Sequence, residues 1–82
     1  REHPVSKTAL QRTWVDVPVD GGTVGIKVAH SNGRIRSATP EFTDVAAVAT
    51  ATGTAQRAVL AGSVAAAEAA GLRAGAQWPV PG

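Results

Sequence analysis

Three runs of alternating aliphatic residues, punctuated by two glycine-bearing turns, constrain this chain more than any other feature. Val15, Val17 and Val19 alternate with Asp16 and Pro18; Val24, Ile26 and Val28 alternate with Gly25 and Lys27; Ile35 and Ser37 alternate with Arg34 and Arg36. A period of two sends successive side chains to opposite faces, so each run reads as a strand with one covered face. Between the runs lie Asp20-Gly21-Gly22 and Ser31-Asn32-Gly33, which accept the positive φ of tight hairpins. Turn position sets register. With Gly21-Gly22 as the first loop, Val19 faces Val24, Val17 faces Ile26, Val15 faces Val28 and Asp16 faces Lys27. With Asn32-Gly33 as the second, His30 faces Ile35, Val28 faces Ser37, Ala29 faces Arg36 and Lys27 faces Ala38. Every large aliphatic of the meander then shares one face. The other face receives Arg12, Trp14, Asp16, Gly25, Lys27, Ala29, Arg34, Arg36 and Ala38. Alternation fades from Ala9 to Thr13, which predicts a bend or bulge in a long first strand.

Helical signals follow. Thr39-Pro40-Glu41 reads as a helix start: threonine caps free N–H groups, proline suits the first helical position, and Glu41 and Asp44 complement the dipole. Phe42, Val45, Ala46 and Ala49 form the apolar stripe before Gly53 breaks the helix. A second helix is expected from Thr54 to Ala70, with Leu60, Val64 and Ala67 as its stripe, Val59 alongside and Gly71 as C-cap. The fold class is therefore α+β: an antiparallel β-meander of about three strands followed by two helices packed on one face, ferredoxin-like or related. Residues 1–72 read as a single α+β domain. Residues 73–82, with Gly75, Pro79, Pro81 and Gly82, read as a flexible tail whose Trp78 is either disordered or docked on a neighbouring chain.

Composition limits what such a domain does alone. Of 36 apolar residues in 82, 17 are alanine, and large side chains supply most burial energy, at roughly 25 cal/mol per Å². A core this thin argues against a free-standing enzyme with an enclosed pocket. The absence of cysteine excludes disulfides, a thiolate zinc site and a thiol nucleophile, and fits a reducing, cytoplasmic setting. No apolar run approaches 18 residues, so no membrane span is expected. The sequence starts at Arg1 without a signal-like segment and reads as an excised or processed piece.

The net charge is +2, but six of the eight cations (Arg1, Lys7, Arg12, Lys27, Arg34 and Arg36) precede residue 40. One reading is a solvated sheet face with an Asp16–Lys27 cross-strand pair. The other is an anion site: Arg12, Lys27, Arg36 and Lys7 project among the small residues Gly25, Ala29 and Ala38, leaving room for a flat or branched ligand. Arginine forks and a lysine point charge are what polyphosphate recognition requires. Without aromatics interleaved among the cations, nucleic acid is a poor partner. Glu41 and Asp44 also have two readings. They serve the helix start, or, sharing a helix face at i and i+3, they hold magnesium or manganese against phosphate oxygens.

Other motifs exclude more than they assign. His30 falls on the covered face beside Ile35 and reads as an interior or edge histidine; His3 has no assigned role. No His/Cys cluster, Ser-His-Asp set or HExxH helix occurs, and Gly21 to Gly25 is a hairpin without the following helix that a dinucleotide fingerprint requires.

The order of motifs resembles one family. Lys7-Thr8-Ala9-Leu10-Gln11-Arg12, Gly22 to Ala29 with Lys27, Gly33 to Thr39, and Pro40-Glu41-Phe42-Thr43-Asp44 are similar, over residues 5–72, to the C-terminal domain of the LarC nickel insertion proteins. These are cyclometallases that complete the nickel-pincer nucleotide cofactor of lactate racemase. The resemblance implies CTP-dependent nickel insertion, with magnesium or manganese bound beside CTP. It also implies self-association as a trimer or hexamer, and an N-terminal domain in the same protein or in a separate subunit. By motif position it carries Arg12 and Lys27 to the nucleotide and Glu41 and Asp44 to the metal, with Lys7 and Arg36 less directly matched. Phe42 stands where the family usually has tyrosine and Val45 where a cysteine often follows, removing a hydroxyl and a soft ligand. The missing upstream domain implies that this piece does not carry out the reaction alone. Two rivals are an oligomerisation module that binds no nucleotide, prompted by the thin core and by Trp14 and Trp78, and a small-ligand regulatory domain.

Overall fold

A computed structural model describes residues 9–81. Three antiparallel strands, β1 (Gln11–Val19), β2 (Gly22–Ser31) and β3 (Arg34–Pro40), lie in the order β1-β2-β3, followed by helices α1 (Phe42–Thr52) and α2 (Gln56–Ala69). This is the expected α+β meander with two helices. α1 covers β2, while α2 lies against β1 and β3. Val17, Val24, Ile26, Val28 and Ile35 meet Val45, Val48, Ala49, Val59, Ala67 and Leu72 in one core. Among the described residues, no helix is long and apolar enough to cross a membrane.

The first hairpin turns one residue earlier than expected. Val19 pairs with Gly22, so Asp20-Gly21 is the loop, and Val17 meets Val24, Val15 meets Ile26 and Asp16 meets Gly25. Gly21 alone takes a positive φ, 85°. Gly22 stays in the strand, where a Cβ would come within 3.0 Å of Val48 Cγ2; its bare backbone lets α1 settle onto the sheet. The shift is two residues in register, so every residue keeps its expected face. β1 pairs without interruption from Gln11, and no bulge interrupts it.

The bulge lies in the second hairpin. Asn32 and Gly33 both have positive φ, 53° and 74°, as a primed turn requires, and His30 pairs with Ile35 as expected. Ala29 then pairs with Ser37, leaving Arg36 as the extra residue. Everything beyond Arg36 changes face. Ala38 pairs with Val28 and packs against the core, whereas Ser37 and Thr39 join the open face.

The helices also differ in detail. Thr39 and Pro40 finish β3, and the residue preceding α1 is Glu41, which makes no side-chain cap. Phe42 is 67% exposed rather than buried. α2 turns Val59, Ser63 and Ala67 inward and leaves Leu60 and Val64 exposed. Ser63 and Ala67 let the helix axis approach the sheet where leucine and valine would hold it off, and the Ser63 hydroxyl is satisfied by Val59 O at 2.8 Å. Past α2, the Gly71 N–H donates to Glu68 O at 3.0 Å and the Leu72 N–H to Ala67 O at 2.8 Å. That is the Schellman pattern, with Gly71 at φ 83° and buried Leu72 as its apolar contact.

The last residues run beside β3. Gly75 N–H donates to Ile35 O, Ile35 N–H to Ala76 O and Trp78 N–H to Gly33 O, at 2.8, 2.8 and 2.9 Å. Ala76, Trp78 and Val80 pack against the core. Trp78, expected to be disordered or on another chain, stacks on its own chain's His30, with ring centroids 4.6 Å apart and planes 27° apart. His30 is buried, as expected, and its Nε2 lies 2.9 Å from Thr13 Oγ1.

Candidate functional site

The open face of the sheet gathers its acidic groups where β3 becomes α1. The Glu41 N–H still donates to Gly25 O at 2.8 Å, as the next rung of the ladder. That makes Ile26–Pro40 a non-hydrogen-bonded pair, so the ladder does not call on proline's missing N–H. The Glu41 carbonyl, however, turns to accept from Asp44 N–H and Val45 N–H, both at 3.1 Å, and opens the helix. Gly25 N–H is left without its strand partner. Asp44 Oδ2 takes it at 2.9 Å. A helix-start carboxylate, expected to complement its own helix's dipole, also completes the sheet.

Glu41 is fixed from the other side. Its Oε2 accepts the indole N–H of Trp14, a residue rooted on β1. Asp16, two residues further along the same strand and on the same face, stands opposite Gly25. A Cβ built at Gly25 would lie 3.1 Å from Asp44 Oδ2, 3.5 Å from Asp16 Oδ1 and 3.8 Å from Glu41 Cγ. Three acidic side chains therefore close around one glycine, and only a residue without a side chain leaves them that space. Among the described residues, no group of three or more His, Asp or Glu side chains is close enough to hold a metal ion unaided.

The cations occupy successive rows of the same face. Half-buried Lys27 is opposite Trp14 on one side and Thr39 on the other, about 7 Å along β2 from the Gly25 row. The expected Asp16–Lys27 pairing is thus replaced by Asp16–Gly25 and Trp14–Lys27. Arg12 lies one row beyond, level with Ala29 and Ser37. Arg36, displaced by the bulge, donates through Nε to Ser31 Oγ at 2.9 Å, and its other nitrogen lies 3.4 Å from Ser31 O. It therefore sits at the far end, away from Lys27. Lys7 lies outside the described residues. Glu41 and Asp44 are brought together at Gly25, with Lys27 one row away and Arg12 a further row beyond. Trp14 and Asp16 are members that motif reasoning did not assign to the site, although their same-face spacing with Arg12 was the signal for them.

Each of the two anchored carboxylates has one oxygen held by an N–H and keeps a second oxygen for other ligands. The donors are all oxygen, and the neighbouring cations suit phosphate. Magnesium and manganese are commonly held by one or two carboxylates together with a substrate's phosphate oxygens and water. The residues present fit that pattern, and not a site closed by protein ligands alone.

Comparison with known proteins identifies the family. The profile of a family described as nickel insertion protein matches residues 1–60, which include the whole sheet and α1. Over 49 residues, 60% of this chain and 12% of the relative, the sequence is 45% identical to a pyridinium-3,5-bisthiocarboxylic acid mononucleotide nickel insertion protein of Nocardioides sp.. Over 66 residues, 80% of this chain and 17% of the relative, it is 41% identical to a protein described as a nickel insertion protein in Myxococcus xanthus. The chain thus spans less than a fifth of the length of either relative. No solved structure matches it significantly. With the Lys27 strand and the Pro40-Glu41-Phe42-Thr43-Asp44 box inside the matched span, the chain belongs to the nickel insertion protein family.

Proposed function

We propose that this chain supplies the nucleotide and divalent-metal face of a protein that inserts nickel into a pyridinium mononucleotide, in a CTP-dependent reaction that matures lactate racemase in the cytoplasm. Nickel here is the ion transferred, a substrate of the whole protein. The observation that carries the proposal is the anchoring of Asp44 on Gly25 N–H and of Glu41 on Trp14, beside Lys27. Fixed carboxylates next to a lysine are complementary to a metal-bound triphosphate and repel a bare one. Magnesium or manganese, when bound, would neutralise phosphate charge through Glu41 and Asp44. Lys27 would contact the phosphates directly, Arg12 would bind further along them, Arg36 would act at the rim, and Lys7, outside the described residues, would add a further cation. The family's N-terminal domain, or a separate subunit, would supply the rest, within a trimer or hexamer.

Isothermal calorimetry tests this. CTP with Mn2+ is expected to bind the chain, CTP with chelator is expected to bind far more weakly, and no binding in either condition refutes the nucleotide assignment.

A second reading, an oligomerisation module without nucleotide, draws support from exposed Leu60 and Val64, one turn apart on α2. It predicts an assembly in analytical ultracentrifugation that forms without CTP. A monomer under those conditions counts against it.

A further inference from the structure

Trp14 is 55% exposed in the middle of a charged surface. Its side chain roots on β1, while Glu41, which its N–H reaches, follows β3 and bonds to β2 through Gly25 O. The indole and the Glu41 side chain therefore meet above β2, where Glu41 Cγ lies 3.8 Å from a Cβ built at Gly25. The hydrogen bond uses the edge of the ring and satisfies its one polar atom, so the ring surface that faces solvent remains available. On β2 its diagonal neighbours are Gly25 and Ala29, neither of which has a side chain tall enough to shield it. Lys27 stands directly opposite, and Arg12 and Asp16 flank it on β1. An apolar plane is thus pinned at its edge and bordered by phosphate-seeking cations.

We propose that Trp14 is the stacking platform for the pyridinium ring of the mononucleotide substrate. This rests on the function proposed above, from which the ligand class is taken. An indole is electron-rich and a pyridinium ring is cationic and electron-poor, so face-to-face contact gains both stacking and cation–π attraction. A ring seated there carries its ribose phosphate within the field of Arg12 and Lys27, whose charges suit it. The Glu41 bond then has a second consequence. Ring orientation and carboxylate orientation are tied, so the organic ligand and the divalent ion are positioned by one contact.

Nicotinic acid mononucleotide is the probe, titrated into the chain and followed by tryptophan emission and near-ultraviolet absorbance. The chain has two tryptophans, so subtracting Trp14→Phe emission from wild type isolates Trp14. The expected result is saturable quenching of Trp14, with a charge-transfer shoulder on the long-wavelength side of the indole band. By calorimetry, Trp14→Ala should lose roughly tenfold or more in affinity for the probe, and Trp14→Tyr should recover much of it. Far-ultraviolet circular dichroism checks that the variants fold. If CTP with Mn2+ binds the same preparation but the mononucleotide leaves Trp14 emission unchanged, or if Trp14→Ala binds it as tightly as wild type, the stacking role is overturned. If neither ligand binds, the function proposed above falls, and this role with it.

Discussion

Asp44 Oδ2 accepts the Gly25 N–H at 2.9 Å, taking the place of the carbonyl that β3 withdraws when Glu41 turns into α1. One carboxylate thus closes the sheet and, in the function proposed above, also faces the ligand. Substitution separates the two roles. Asp44→Asn keeps an oxygen acceptor for Gly25 but loses the charge, whereas Asp44→Ala leaves a partly buried N–H unpaired, at a cost of about 1–3 kcal/mol. Urea denaturation should show Asp44→Ala clearly destabilised and Asp44→Asn much less so. Mn2+-dependent CTP binding should be weakened in both.

Gly25→Ala tests the space around which the acidic groups close. The new Cβ would lie 3.1 Å from Asp44 Oδ2, so the carboxylate must shift by a few tenths of an ångström, which loosens its bond to the adjacent N–H. Gly25 is not among the glycines of positive φ, so alanine imposes no backbone strain there. Calorimetry should record a loss of Mn2+ affinity of several fold, and thermal melting a smaller effect on stability. A variant that binds Mn2+ as wild type does would show that the Gly25 cradle does not set carboxylate position.

Gly21→Ala should act in the opposite sense. Gly21 has φ 85° and faces the Thr52 methyl group at the end of α1. Left-handed backbone costs an L-residue roughly 1–2 kcal/mol, and the added methyl must also displace Thr52. Chemical denaturation should show a loss of at least about that size, with ligand affinity of the folded protein unchanged.

Much of this arrangement was legible in the chain. The alternation in Val15 to Val19 and Val24 to Val28 defines the covered face even though the first loop is displaced, because a shift of two residues preserves side-chain direction. Asn32-Gly33 specifies its own turn. The bulge was not legible: Arg34 to Ser37 alternates equally well with or without an extra residue, and the choice is made by the pairing that follows. The inward stripe of α2 was misplaced because hydrophobicity favours Leu60 and Val64, whereas close packing on the sheet favours Ser63 and Ala67. Trp14 and Glu41 are 27 residues apart, and no local pattern joins them. Residues 75–78 pair with β3 through backbone atoms alone, which their Gly- and Pro-bearing surroundings do not announce.

Trp78 gives a prediction for that C-terminal run. Its ring stacks on buried His30, and its N–H bonds to Gly33 O. Trp78→Ala removes the stack and exposes His30 while the backbone bond remains available. Aromatic stacking contributes about 0.5–1.5 kcal/mol beyond area burial, so a total loss of roughly 1–3 kcal/mol is expected for this partly buried ring. Urea denaturation measures it. Unchanged stability would show that the run contributes little to the fold.

The proposed function requires a metal-bound nucleotide on the Lys27 face with Asp44 as a ligand to its metal. The most direct measurement is amide NMR during titration of CTP with Mg2+. Because the Gly25 N–H is bonded to Asp44 Oδ2, a cation arriving at that carboxylate must alter the Gly25 resonance. Saturable shifts of the Gly25 and Lys27 amides and of the Trp14 indole N–H are expected, and they should be lost in Lys27→Ala. Shifts confined to another surface, or none at Gly25 while CTP and Mg2+ bind, would contradict that function.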